Sequence, residues 1–143
     1  MLISEVLRNK SHGVVTVRPD DTVSRLLELL AEHGVGALVV STEGPDIAGI
    51  VSERDVVRYL HSQGSGILDQ PVSAIMTATV ITCTKDEEVA DLASTMTDRH
   101  IRHVPVVDDD GNMVAIVSIG DVVKSRISQL QAERDHLERY IQQ

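Results

Sequence analysis

GIVSERDVVRYL (49–60) returns 66 residues downstream as AIVSIGDVVKSR (115–126). In each stretch an aliphatic run leads into a serine, and an aspartate follows three residues later: Ser52 with Asp55, then Ser118 with Asp121. The same 66-residue register runs without a gap from Val14 over Val80 to Val57 over Val123. Thr16/Thr82, Asp20/Asp86, Val23/Val89, Leu26/Leu92 and Val40/Val106 are identical pairs, and many other positions exchange one aliphatic residue for another. A register held that long marks a duplication, so the chain is two copies of one unit.

Each copy reads as strand, helix, strand, strand, helix. Residues 14–17 are a short β-branched run ended by Pro19. Asp21 or Thr22 can cap a helix whose Val23, Leu26, Leu27 and Leu30 recur at helical spacing, and Gly34 follows its last turn. Residues 37–40 form a buried strand, STEGPD (41–46) a turn, and 47–51 the next strand. Ser52 then caps a helix over 53–60; in the second copy DDDGN (108–112) is the hairpin turn and Ser118 the cap. Residues 2–7 and 72–76 predict short lead-in helices, and SQGSGILDQP (62–71) a flexible join. The expected organisation is therefore a first repeat with its lead-in over 1–66, a second over 67–126, and a helical extension over 127–143. In the extension Ile127, Leu130, Leu137 and Ile141 share a seam that Arg134 interrupts. Two heptads leave a coiled coil and a helix lying on its own repeat equally open, and an extended seam points to self-association.

Composition narrows the function. Of 143 residues, 42 % are hydrophobic and 24 % charged, ordinary for a globular protein. With two Tyr, no Phe and no Trp, the core must be aliphatic, and a planar ligand should be gripped by aliphatic side chains and backbone. The formal charge of −9 repels a phosphate backbone, which argues against nucleic acid while leaving room for one small phosphorylated ligand. Cys83 is the sole cysteine, so neither an internal disulfide nor a thiolate metal cluster is expected. No apolar run reaches the ~20 residues of a membrane span, and MLISEVLRNK lacks the apolar core of a signal peptide. A cytoplasmic protein without membrane contact is expected.

The serine–aspartate pairs admit two readings. Each serine can cap its helix, with the aspartate as capping-box partner, although Glu or Gln is usual there. Capping accounts less well for both residues persisting while Glu53–Arg54 drift to Ile119–Gly120. A carboxylate one turn into a helix is also placed to accept two hydrogen bonds from a vicinal diol such as a ribose. The serine hydroxyl and the free N–H groups of the helix start can then face a phosphate.

GIVSERD, AIVSIGD, the HIRHVPVVD strand and the lead-in VSAIMT together resemble tandem CBS domains, the regulatory module named after cystathionine β-synthase. The likeness runs to about Arg126, and the long helical tail is similar to that of stand-alone CBS-pair proteins. The resemblance implies an α/β (α+β) fold of two β-α-β-β-α repeats about a pseudo-twofold axis. It also implies two clefts between them that hold adenosine compounds: AMP, ADP, ATP, NAD or S-adenosylmethionine. By that likeness Asp55 and Asp121 bind ribose hydroxyls, and Ser52 and Ser118 line ribose or phosphate. Thr16 and Thr82 sit beside the base, which lies between aliphatic side chains such as Ile50 or Ile116; Gly120 completes the set. Arg102 and His103 are the phosphate contacts of the second copy, where the first has Gly36 and Ala37 with Arg54 as a substitute. The second cleft is thus expected to hold phosphate more tightly.

No catalytic constellation emerges. A Gly-rich phosphate loop, H-E-x-x-H, a nucleophile elbow and Cys/His metal spacing are all missing from the sequence. The expectation is a non-enzymatic module without a catalytic cofactor or metal, forming a homodimer and signalling energy or redox state to a separate effector protein. The alternative is a structural dimerisation scaffold with vestigial clefts.

Overall fold

The computed structural model describes residues 1–10 and 13–142, so Gln143, the end of the expected extension, lies outside the described residues. The first copy comprises β1 (Thr16–Val17), α2 (Val23–His33), β2 (Ala37–Val40), β3 (Gly49–Ser52) and α3 (Glu53–Gln63). The second comprises α4 (Val89–Arg99), β4 (His103–Val107), β5 (Met113–Ser118) and α5 (Ile119–Gln142). Helix α1 (Ile3–Leu7) and a 3₁₀ turn at Val72–Ala74 are the two lead-ins; the second is shorter and tighter than the helix expected there. The join is not shapeless, because Ser65–Asp69 forms another 3₁₀ turn with Ile67 buried in it.

Thr22, rather than Asp21, caps α2: its Oγ1 accepts the Arg25 N–H at 3.1 Å. Gly34 closes the helix in the left-handed region at φ 62°, where a side chain is disfavoured. Its counterpart at the end of α4 is His100, which adopts φ 55° despite carrying a side chain.

The two sheets differ for a chemical reason. In the first, β1 runs parallel to β2 (Thr16↔Val39, Val17↔Val40), and β2 is antiparallel to β3. In the second, β4 and β5 pair antiparallel, and the expected first strand shrinks to one parallel bridge, Cys83↔Val106. Cys83 N–H donates to the Pro105 carbonyl at 3.0 Å, and Val107 N–H to the Cys83 carbonyl at 2.9 Å. Pro105 stands where the first copy has Val39, and without an N–H it cannot extend the ladder towards Thr82.

Two aliphatic cores result, and each recruits the lead-in that is distant in the chain. Val17, Val23, Leu26, Val40 and Val51 pack with Ile67, Val72 and Ile75. Cys83, Leu92, Met96, Val104 and Val117 pack with Ile3 and Val6. The backbone docks the lead-ins equivalently: Ile3 N–H donates to the Glu87 carbonyl at 2.9 Å, Val72 N–H to that of Asp21 at 2.7 Å. Glu87 and Asp21 lie 66 residues apart, but Ile3 and Val72 lie 69 apart, so the path from lead-in to first strand is three residues longer in the first half of the chain. Grouping by chain order at residue 66 therefore differs from grouping by core.

Helix α5 carries the tail as one continuous 24-residue helix. Ile127, Leu130, Leu137 and Ile141 are exposed, Ile141 by 80 %, so the seam is not laid down on the chain's own second repeat.

Candidate functional site

Both serine–aspartate pairs are complete capping boxes. Ser52 N–H and Oγ–H donate to Asp55 Oδ2 at 2.8 and 3.1 Å, and Asp55 N–H donates back to Ser52 Oγ at 3.3 Å. Ser118 and Asp121 repeat this at 2.9, 3.0 and 3.2 Å. The capping reading is thus correct at both helix starts, and it fixes each carboxylate where a ligand could meet it. Only Oδ2 is used; among the described residues no donor reaches Oδ1 of either aspartate.

Beyond the pair the two copies diverge. In the first, Ile50 exchanges both backbone hydrogen bonds with Thr77 at 2.9 Å, so the second lead-in lies along β3. Gly49 permits this approach, since a Cβ there would stand 2.8 Å from Met76 Sδ and from the Thr77 carbonyl. A cavity of about 300 Å³ opens beside Asp55, lined also by Arg58, Tyr59, Met76 and Thr77. One of the two tyrosines, Tyr59, therefore lines this candidate site. Thr16 lies in the cross-strand row Thr16–Val39–Ile50, with β2 between it and Ile50. Arg54, the expected phosphate substitute, reaches across to the other copy and donates to the His100 carbonyl at 3.4 Å.

In the second copy Ala115 stands where Gly49 does. A side chain fills the role of Thr77 instead. Lys10 Nζ donates to the Ile116 carbonyl and lies 2.8 Å from Asp121 Oδ2, which then holds three donors. Burial pushes the Asp121 carboxyl up, but Lys10 and the Ser118 contacts outweigh it and hold the group below its usual range. His103 is partly buried at the start of β4, close enough to Gly36 that a Cβ there would lie 3.6 Å from its Cε1. Burial, then the charges of Lys10 and Arg102, lower its pKa against the opposing pull of Glu53 and Asp121. Arg102 is exposed, its carbonyl accepting the Ile119 N–H at 2.8 Å, and among the described residues no carboxylate pairs with it. Thr82 is exposed before the Cys83 bridge, and Gly120 lies in the first turn of α5, where a Cβ would stand 3.6 Å from Ser118 Oγ.

The structure thus gathers Ile116, Ser118 and Asp121 around Lys10, with His103 close enough to feel the charges of Lys10, Arg102 and Asp121. It gathers Ile50, Ser52 and Asp55 separately. Sequence reading passed over Lys10, Arg58, Tyr59 and Thr77. The only signal near Lys10 was the longer first connection, RNKSHG against TAT, and it does not single out the lysine.

No helix among the described residues is long and apolar enough to cross a membrane, and among them no cluster of His, Cys, Asp or Glu could hold a metal ion. A profile of the CBS domain matches residues 3–62 and 72–128. A CBS domain-containing mitochondrial protein of Arabidopsis thaliana is 38% identical over 148 residues, spanning 98% of this chain and 71% of its own length. Among solved structures, a CBS-domain containing protein of Agrobacterium tumefaciens aligns with a TM-score of 0.84 at 38% identity, over 88% of this chain and 99% of that one. Two other neighbours are complexes. The CBS domain pair of protein MJ0100, with 5′-methylthioadenosine and S-adenosyl-L-methionine, aligns at TM-score 0.79 and 26% identity over 90% of this chain and 98% of its own. A CBS domain protein of Pyrobaculum aerophilum with AMP aligns at 0.75 and 28% over 85% and 89%.

Proposed function

The chain belongs to the CBS domain family as a tandem pair, and we propose that it is a non-catalytic regulatory module whose clefts bind adenosine-containing ligands. The observation that carries this reading is the duplicated carboxylate. Asp55 and Asp121 are each pinned through Oδ2 to a capping serine, which leaves Oδ1 at a helix start for a sugar hydroxyl. The neighbours crystallised with AMP and with S-adenosyl-L-methionine support an adenosine core to the ligand. In this reading ADP, ATP and NAD are the further candidates, and occupancy reports energy or redox state to a separate effector in the cytoplasm. Output follows from linkage: a ligand biases the chain only by binding one arrangement of its repeats more tightly than another.

Self-association belongs to the same proposal. An apolar groove of about 640 Å³ runs between α2 and α3, lined by Leu27, Val35, Val57 and Leu60. Val57 is 64 % exposed and its repeat counterpart Val123 is 50 % exposed. With the bare seam of α5, these faces suit a second copy of the chain.

The scaffold reading draws on one specific observation: the capping boxes satisfy Ser52, Asp55, Ser118 and Asp121 without any ligand. A thermal-shift screen with AMP, ADP, ATP, NAD and S-adenosylmethionine separates the two. A ligand at a hundred times its Kd stabilises by about 2.7 kcal/mol, a clear rise in Tm. No shift with any of them at millimolar concentration leaves the scaffold.

A further inference from the structure

Lys10 belongs to neither copy of the repeat. It sits in the connection between the first lead-in and the first strand, which is three residues longer than its counterpart. Its ammonium holds two groups of the second cleft at once, the Ile116 carbonyl on the aliphatic wall and Asp121 Oδ2 at the sugar carboxylate. In the first cleft the Ile50 backbone is satisfied by Thr77, and among the described residues no cation pairs with Asp55. A diol that engages both oxygens of Asp121 must displace the ammonium, because Oδ2 already carries three donors. A neutral nucleoside does this with no return. A phosphorylated one brings an anion within reach of the same flexible side chain, beside His103, which feels the charges of Lys10 and Arg102 against those of Glu53 and Asp121.

We propose that Lys10 is the specificity-determining residue of the second cleft: it rests on Asp121 when the cleft is empty and transfers to the ligand's phosphate when it fills. The second cleft is thereby selective for anionic adenosine compounds over neutral ones. This rests on the nucleotide-binding reading above.

The test is a methyl NMR titration of the full chain with AMP and with adenosine, following the isoleucine methyls. Ile116 reports the second cleft and Ile50 the first, so each site gives its own Kd. At Ile116 the wild-type chain should bind AMP at least about tenfold more tightly than adenosine, the size of one charge-assisted hydrogen bond. Lys10→Met should weaken AMP roughly tenfold there while adenosine binds equally or better. Lys10→Arg should retain the preference for AMP. An unchanged AMP-to-adenosine ratio in Lys10→Met overturns the proposal, as does AMP that shifts Ile50 and never Ile116. If neither methyl responds to AMP, ADP, ATP, NAD or S-adenosylmethionine in any variant, the nucleotide-binding reading itself fails. Unperturbed methyls of Ile67 and Ile75 in the first core check that each variant is folded.

Discussion

Removing the side chain of Ile3 should loosen the second repeat, although Ile3 lies 80 residues before that repeat's first core residue, Cys83. Ile3 is 0 % exposed and packs with Val6, Cys83, Val89, Leu92 and Met96. An Ile→Ala change at so enclosed a site loses the transfer energy of the deleted groups and leaves a cavity, about 3 kcal/mol within a usual range of about 2–5. Cys83 offers an internal readout: it is buried in the same core, and burial, aided by Glu87, pushes its thiol up to about 12. Native Cys83 should therefore label only when the core opens. A loss of ~3 kcal/mol raises the open population, and with it the labelling rate, by roughly a hundredfold. Under the same change Tm should fall by about 6–12 °C. Alkylation of Cys83, followed by mass spectrometry at fixed pH, measures the first quantity and calorimetry the second. Labelling that rises less than about fivefold would mean less than ~1 kcal/mol was lost. In that case α1 contributes little to the second core, and the exchange of lead-ins is refuted as an energetic feature.

Three other outcomes follow from single positions. His100→Gly relieves a side chain held at φ 55°, a strain of about 1–2 kcal/mol partly offset by glycine's freer unfolded chain, so Tm should rise by about 1–3 °C. His103 is kept below its ordinary pKa by burial and by Lys10 and Arg102, against Glu53 and Asp121. Its contribution is therefore complete above the unfolded value of about 6.5 and is lost as pH falls below it. Urea midpoints should drop between about pH 7.5 and 5.5, and His103→Gln should flatten that slope. Gly49→Ala drives a methyl into Met76 Sδ and the Thr77 carbonyl, costing about 1–3 kcal/mol in urea denaturation and accelerating hydrogen exchange at the Thr77 amide. Ala115→Gly, on the same strand position of the second copy, should cost no more than about 1 kcal/mol.

What the sequence made legible was what repeats with a period. The 66-residue register exposed both copies, their capped helices and the paired Ser52/Asp55 and Ser118/Asp121, because capping chemistry is local and written within four residues. The departures depend on contacts far apart in the chain. Which core a lead-in enters is decided by the Ile3–Glu87 and Val72–Asp21 backbone bonds, and neither partner has a distinctive side chain. The shortened sheet could have been read from Pro105, since a missing N–H is a sequence fact; it needed only the knowledge that this N–H faces the first strand. Tyr59 and Arg58 went unnoticed beside Asp55 because helical spacing alone did not reveal the segment at 76–77 that completes their cavity.

The asymmetry of the clefts has a compact origin. Ala115 in place of Gly49 and three extra residues before Val14 accompany an ammonium on Ile116 where Ile50 has a backbone contact. Arg102 and His103 alone suggested that the second cleft would hold phosphate more tightly. The geometry adds that Asp121 is paired from within by Lys10 and that Arg58 lines the cavity beside Asp55. Under the proposed function, two identical clefts would answer to a single concentration. Two clefts that rank neutral and phosphorylated adenosine compounds differently answer instead to their ratio, because each ligand shifts the ensemble only by its own differential affinity. The cleft that holds Lys10 would then be the one that sets the ratio at which the module switches, and changing that residue would move the threshold without removing the response.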